Sequence, residues 1–262
     1  MARQAESDPQ PGQPDTSRVV ARALDVALAL AAADGLTRAE LALRLNLPAT
    51  TVLRLLTTLS AARMAEMDPA TQRWTVGPAA FRLGAAFLRR GGLGERAAPI
   101  LRGLAAGSGE TALLVVADGD AAMVVGQSSP AHPVRADLPD GARLPLHATA
   151  AGKALIAHLP LQRVQALLGR GAFPLHTDAT LTDQGELTAD LATIRHTGVT
   201  RDAGEWQAGL SSIAAPVFGG LGEPVAALAL AGPSARLTGA RMDQLAATLA
   251  AEARALGRAL GG

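Results

Sequence analysis

Cysteine is missing from all 262 residues, which excludes disulfides, thiol nucleophiles and thiolate-held metals together. Tyrosine is missing too, and four phenylalanines and two tryptophans bring the aromatic share to only 2%. That leaves little for the stacking platforms on which single-strand and RNA binders hold bases. Lysine occurs once, as Lys153, so positive charge is almost wholly arginine. No apolar run approaches the length that spans a bilayer, and the opening MARQAESDPQPGQPDTS has no signal-peptide core. A cytoplasmic location without a membrane partner is therefore expected.

What is present suits a folded two-domain chain. The hydrophobic share is 48%, much of it alanine, against 18% charged residues. The net charge of +1 is unevenly spread: residues 1–90 hold eleven arginines against eight acids, net +3, and residues 91–262 hold thirteen bases against fifteen acids, net −2. The split points toward a nucleic-acid partner for the first half but is small, and a solvated surface accounts for it equally well.

The organising stretch is Thr37 to Leu59, TRAELALRLNLPATTVLRLLTTL. Thr37 with Glu40 three residues on is a capping box opening a helix through Arg44, with Leu36, Leu41 and Leu43 as its apolar contacts. Pro48 is tolerated only in a first turn, so a second helix is predicted to begin there. Along it Val52, Leu55, Leu56 and Leu59 share one face, and Thr50, Thr51, Arg54, Thr57 and Thr58 fall largely on the other. A leucine face backing a polar face with one arginine suits a helix that reads the major groove. A strand, an Asp68-Pro69 turn and a second strand follow between Arg63 and Gly77, with Trp74 and Val76 facing the helices. A hairpin in that place is a wing, which puts Arg73 and Gln72 within reach of phosphate or the minor groove. Thr50, Thr51, Arg54, Gln72 and Arg73 are thus the candidate contacts to double-stranded operator DNA.

Elsewhere the pattern divides into a flexible tail (1–15), the DNA-binding domain (16–77), a linker helix (78–92) and a second domain (93–262). Pro14, Asp15, Thr16 and Ser17 supply a helix start before Val19 to Ala33, whose core face is read as Val20, Ala23, Leu24, Ala27, Leu28 and Ala31. The linker helix carries Phe81, Leu83, Phe87 and Leu88 as a candidate contact between copies of the chain, a homodimer or tetramer. In the second domain, helices flank strands at Thr111 to Val116, Met123 to Gln127, Ser211 to Val217 and Pro224 to Ala231, a mainly antiparallel α+β arrangement. Asp183 with Glu186 caps a helix that Gly198 stops.

No constellation here does chemistry. The histidines at 132, 147, 158, 176 and 196 lack ligand spacing, so no metal site is expected. ATAAGKAL around Lys153 lacks the phosphate-loop pattern, and Gly152 is read as permitting close packing while Lys153 exposes its charge or pairs with an acid. Ser211 and Ser212 have no nucleophile elbow. Neither catalysis nor a cofactor is expected.

Taken together, RALDVALAL (22–30), LPATTVLRLLTTL (47–59), DPATQRWTVGP (68–78), Gly109-Glu110, RLPLHATAAGKALIA (143–157) and DAGEWQAGLSSIAAPVF (202–218) resemble the IclR family of bacterial transcriptional regulators, from about Ser17 to Leu260. The resemblance implies an N-terminal winged helix-turn-helix, a linker helix and a C-terminal effector-binding domain of GAF-like α+β fold. It also implies dimers or tetramers that act on operator DNA under a small organic effector. The ligand loops it implies fall at Gly141, Ala142, Leu144 and Leu146, and at Asp202, Gly209 and Ser212. Two serines that hold small anionic acids in some members are Ala229 and Ala231 here. An anion taken out of water needs converging donors, so these alanines point to a ligand with more apolar surface, an aromatic metabolite among the candidates. The chain departs from the family elsewhere: a lysine and a serine are usual at Ala49 and Thr50, an aromatic or histidine at Leu53, and glycine and tyrosine at Gln72 and Trp74. A second reading stays open at this point, a non-catalytic cytoplasmic small-molecule-binding protein whose helical N-terminus is a protein-interaction module; the hairpin and the arginine split disfavour it.

Overall fold

The computed structural model describes residues 17–89, 92–169 and 171–261, and the chain divides into two compact units, Met1–Phe87 and Leu88–Gly262. The expected tail, the helix-start residues Pro14, Asp15 and Thr16, the last residues expected of the linker helix before Gly92, and the Leu88 side chain lie outside what is described.

The first unit runs α1 (Arg18–Ala31), α2 (Arg38–Arg44), α3 (Ala49–Ala61), β1 (Ala65–Met67), β2 (Trp74–Val76) and most of α4 (Pro78–Arg89). Its capping box is reciprocal: Glu40 N donates to Thr37 Oγ1 at 3.2 Å and Thr37 N donates to Glu40 Oε2 at 2.7 Å, which satisfies two otherwise orphaned donors. Asn46, left-handed at φ 49°, turns the chain, and Pro48 caps α3. Val52, Leu55, Leu56 and Leu59 are buried with Leu41 and Ala65, as their spacing predicts. Antiparallel β1 and β2 pair Ala65 with Val76 and Met67 with Trp74, and Leu36 bridges to Trp74, tying the hairpin to the α1–α2 connection.

Three expectations need correction here. In α1 the inward face is Val26, Ala29 and Leu30, while Val20, Leu24 and Leu28 are exposed. RVVARALDVALALA is apolar on more than one side, so periodicity alone cannot choose, and the packing against Leu41, Val52 and Leu56 decides. Leu43 of α2 is exposed, because one turn of so short a helix presents only Leu41 inward. Val76 is exposed, because the partner beneath the hairpin ends at Trp74.

The second unit is a six-stranded antiparallel sheet of order β5-β4-β3-β8-β7-β6, comprising β3 (Thr111–Asp118), β4 (Ala121–Ser128), β5 (Arg143–Pro145), β6 (Thr200–Ala203), β7 (Leu210–Phe218) and β8 (Pro224–Pro233). Its helices are α5 (Leu93–Ser108), α6 (Ala150–Ile156), α7 (Leu161–Leu168), α8 (Gln184–Thr197) and α9 (Gly239–Ala259). Strand alternation sends Leu114, Val116, Leu228 and Leu230 to a core shared with α5 and α9. The opposite face sends Leu113, Val115, Ala227, Ala229 and Ala231 to a core shared with α6 and α8. β8 thus buries Leu228 and Leu230 on one side and only alanines, Ala227, Ala229 and Ala231, on the other, and the small side leaves room beneath α6. Two strands have no alternating signal in the sequence. Arg143–Pro145 is three residues ending in proline, and Thr200–Ala203 carries two charges; both are edges held by one neighbour.

Gly152 sets how closely α6 approaches. A Cβ there would stand 2.6 Å from Leu146 Cα and 2.7 Å from the carbonyl oxygens of Pro145 and Leu146. Among the described residues no helix is long and apolar enough to cross a membrane.

Candidate functional site

Two places collect the residues singled out above. On α3, Thr50, Leu53, Arg54, Thr57 and Thr58 are exposed and Thr51 is half-buried. Thr57 Oγ1 donates to Leu53 O at 2.9 Å and Thr58 Oγ1 to Arg54 O at 3.0 Å, so both hydroxyl protons are engaged within the helix. The hairpin tip is built on Asp68, whose carboxylate accepts from Ala70 N at 2.9 Å and Thr71 Oγ1 at 2.7 Å. Those bonds, the Thr71 hydroxyl first, hold its pKa below the usual carboxylate range. Gln72 is left-handed at φ 57°, where glycine fits more easily, and its side-chain amide donates to Pro69 O at 3.0 Å.

Arg73 is not a free cation. Its guanidinium donates to Gly35 O at 2.7 Å and meets Glu40 Oε1 at 3.4 Å, while its side chain stays 44% exposed. Glu40 is held acidic by the Thr37 backbone N–H, then the Thr37 hydroxyl, with a smaller contribution from Arg73. One carboxylate thereby serves both the α2 cap and the hairpin.

The second place is a small, partly enclosed cavity under α6. Leu144, Asp202, Ser212, Ala229 and Ala231 come together on its wall. Leu113, Leu138, Thr149, Ala151, Trp206 and Leu210 complete it, and sequence reasoning did not single these out. The inward alternation of β3 was a usable signal for Leu113; Thr149 and Ala151 come from the start of α6, Leu210 from the start of β7, and Leu138 and Trp206 from separate loops. Gly141, Ala142, Leu146 and Gly209 are not on that wall. Gly141 forms a left-handed turn whose N–H bonds Val124 O at 2.7 Å, and Ala142 packs at the core's edge. Leu146 is buried against Gly152, and Gly209 lies on an adjoining open crevice of about 300 Å³ that shares Leu138 and Leu210 with the cavity.

At about 20 Å³ the cavity has room for little more than a water molecule. Larger open clefts of about 620 and 590 Å³ run along α5 and β4. They hold no convergent buried charge, so the small cavity under α6 is the better candidate despite its size.

Its polar end is dense. Asp202, 1% exposed, accepts from Glu205 N at 2.6 Å and from Ser212 Oγ at 3.1 Å, so it caps a turn and faces the cavity at once. Burial raises its pKa, only partly countered by these bonds and by Lys153. Lys153 is buried, not exposed, and its ammonium meets Glu205 Oε1 at 2.7 Å and Asp190 Oδ2 at 2.9 Å. Burial works against that ammonium, but Glu205 and Asp190 outweigh it and raise its pKa, so Lys153 stays charged. Burial likewise raises Glu205, with Lys153 opposing. The loop bearing Leu138 is tethered: Arg236 grips Glu110 with two bonds of 2.8 Å and donates to Val134 O at 3.0 Å, and Thr111 Oγ1 donates to Ala136 O at 2.8 Å. No cluster of three His, Cys, Asp or Glu suited to a metal occurs among the described residues.

Comparison with known proteins gives this arrangement a family. Residues 19–69 match the IclR helix-turn-helix domain, and residues 85–258 match the bacterial transcriptional regulator IclR C-terminal domain. The chain is 42% identical over 239 residues to the HTH-type transcriptional regulator BhcR of Paracoccus denitrificans, covering 91% of this chain and 86% of that one. The structure superposes on an IclR transcriptional regulator from Alicyclobacillus acidocaldarius with a TM-score of 0.84 and 26% identity, over 94% of this chain and all of that one. An IclR homologue from Microbacterium hydrocarbonoxydans, solved in complex with 4-hydroxybenzoate, shares the fold at a TM-score of 0.79 and 22% identity, over 92% and 98% of the two chains. With a helix-turn-helix unit at one end and an α+β effector domain at the other, the chain belongs to the IclR family of DNA-binding, non-catalytic transcriptional regulators.

Proposed function

We propose that the first unit is a winged helix-turn-helix that inserts α3 in the major groove and lays the β1–β2 hairpin beside it, and that the second is a GAF-like effector domain. In this reading residues 16–77 bind DNA, 78–92 form a linker helix and 93–262 bind the effector. Thr50, Thr51 and Arg54 meet base edges and phosphate, and Gln72 and Arg73 meet the backbone, Arg73 from within its contacts to Gly35 and Glu40. The exposed polar face of α3 over a buried leucine face, followed directly by a hairpin, carries the reading.

The regulator works as a homodimer or tetramer, since one reading helix spans only a few base pairs. Exposed apolar residues support this: Phe81, Leu83 and Phe87 on α4, and Val20, Leu24 and Leu28 on α1. The effector occupies the cavity at Asp202 and Ser212, entering by way of the crevice at Leu138 and Leu210. The alanine face of β8 favours an aromatic or otherwise apolar compound, and the 4-hydroxybenzoate complex of the Microbacterium protein supports this choice. Such a compound needs Leu138 and Leu210 to part, because the cavity as it stands holds only a water-sized volume.

The test uses the full-length protein. Binding to genomic fragments is followed through a salt series, and calorimetry against metabolites, 4-hydroxybenzoate included, is followed by the same binding curve with ligand present. A ligand that saturates the protein yet leaves operator affinity unchanged would break the effector reading, because equal affinity for both states shifts nothing.

A further inference from the structure

The reading face of α3 is poor in the groups that recognise most bases. ATTVLRLLTTLSA, from Ala49 to Ala61, contains no Asn, Gln, Asp, Glu, His or Lys. Adenine is read through paired bonds to Asn or Gln, and the cytosine amino group by a carboxylate, so neither base has its usual partner here. Guanine has one, Arg54.

Beside Arg54 and the threonine hydroxyls, the outward groups are apolar. Leu53, 41% exposed, sits one turn from Ala49 and Thr50 on one side and from Thr57 on the other, so the four make a continuous stripe. Thr57 extends it with its methyl, because its hydroxyl proton is committed to Leu53 O. A leucine left open to water in a groove-facing row gains only when something apolar covers it. In the major groove the apolar feature of a base edge is the thymine 5-methyl group.

We propose that α3 reads thymine: Ala49, Leu53 and Thr57 pack on the 5-methyl groups of a short thymine run, with Arg54 on a guanine at its flank. This rests on α3 being the recognition helix, and the test separates the two claims. Full-length protein first selects duplexes from a randomised library, and the recovered duplex is remade with deoxyuridine for each thymidine in turn, which removes only the methyl. Selected half-sites are expected to contain adjacent thymines on one strand, and each contacted methyl removed is expected to weaken binding about fourfold. Leu53→Ala, at an exposed position, is expected to bring the thymine-to-uracil affinity ratio toward one, whereas Arg54→Ala weakens both duplexes alike. Uracil without effect, while Leu53→Ala or Arg54→Ala still weakens binding, would overturn methyl readout and leave the recognition helix standing. If uracil, Leu53→Ala and Arg54→Ala all leave affinity unchanged in folded protein, the recognition helix itself is wrong.

Discussion

Lys153 Nζ stands 2.7 Å from Glu205 Oε1, joining α6 to the β6–β7 connection through a buried ion pair that Asp190 of α8 completes. Glu205 Oε2 already lacks a partner among the described residues, so removing the lysine strands a buried carboxylate. Lys153→Met is expected to lower unfolding free energy by about 3–5 kcal/mol, and adding Glu205→Leu to recover much of that loss. Denaturant titrations of both variants measure it; a single variant as stable as the parent would show that the pair contributes nothing.

Asp202 gives the fold a pH slope. Burial raises its carboxyl above the ordinary value, so the folded state holds the proton more tightly than the unfolded chain. Stability is therefore full below the usual aspartate range and falls as pH rises through the raised value. Asp202→Asn keeps an acceptor for Glu205 N and a partner for Ser212, and is expected to flatten that fall and to be the more stable form at neutral pH. Glu205, raised likewise, leaves a residual slope. Melting curves from acid to neutral pH decide it.

Gln72 holds a left-handed backbone with a full side chain. Gln72→Gly is expected to stabilise the first unit by about 1 kcal/mol, less what the bond to Pro69 O contributes. A lower midpoint for the glycine variant would place the strain elsewhere.

The two arginines of the proposed DNA surface are expected to behave differently. Arg54→Ala is expected to cost about 1–3 kcal/mol in operator affinity with little change for random DNA. Arg73→Ala is expected to weaken both together and lower the salt slope by about 1. Fluorescence anisotropy at several salt concentrations separates these patterns, and an Arg73 variant with an unchanged slope removes the hairpin from the footprint.

Sedimentation of the parent protein at micromolar concentration is expected to show a dimer or larger. Phe81→Ser with Leu24→Ser, both at exposed positions, is expected to shift it toward monomer. A monomeric parent would count against the proposed assembly.

Local chemistry was the legible part of this chain. Thr37 with Glu40, Pro48, Asp183 with Glu186, and Gly198 each mark a helix end by a bond or conformation confined to a few residues, and each stands where its pattern predicts. The leucine face of α3 was equally plain, because its other face is polar. In α1 two faces are apolar, and only contact with α2 and α3 selects one. The cavity was half legible for the same reason: Leu138 and Trp206 reach it through loops whose paths depend on bonds such as Arg236 to Val134, over 100 positions apart in the chain.

Gly152 has a consequence for how that cavity answers to whatever fills it. Backbone rests on backbone where α6 meets Pro145 and Leu146, so α6 cannot settle closer there. The wall bearing Leu138 is anchored through Arg236 and Thr111. The side bearing Trp206, and Leu210 at the start of β7, is tied down next door at Glu205, whose N–H donates to Asp202 and whose carbonyl accepts from Thr180 Oγ1 at 2.6 Å. Under the proposed effector reading, with every side held, turning the Leu138 and Leu210 side chains is the way to admit a compound, so size would select an occupant before chemistry does.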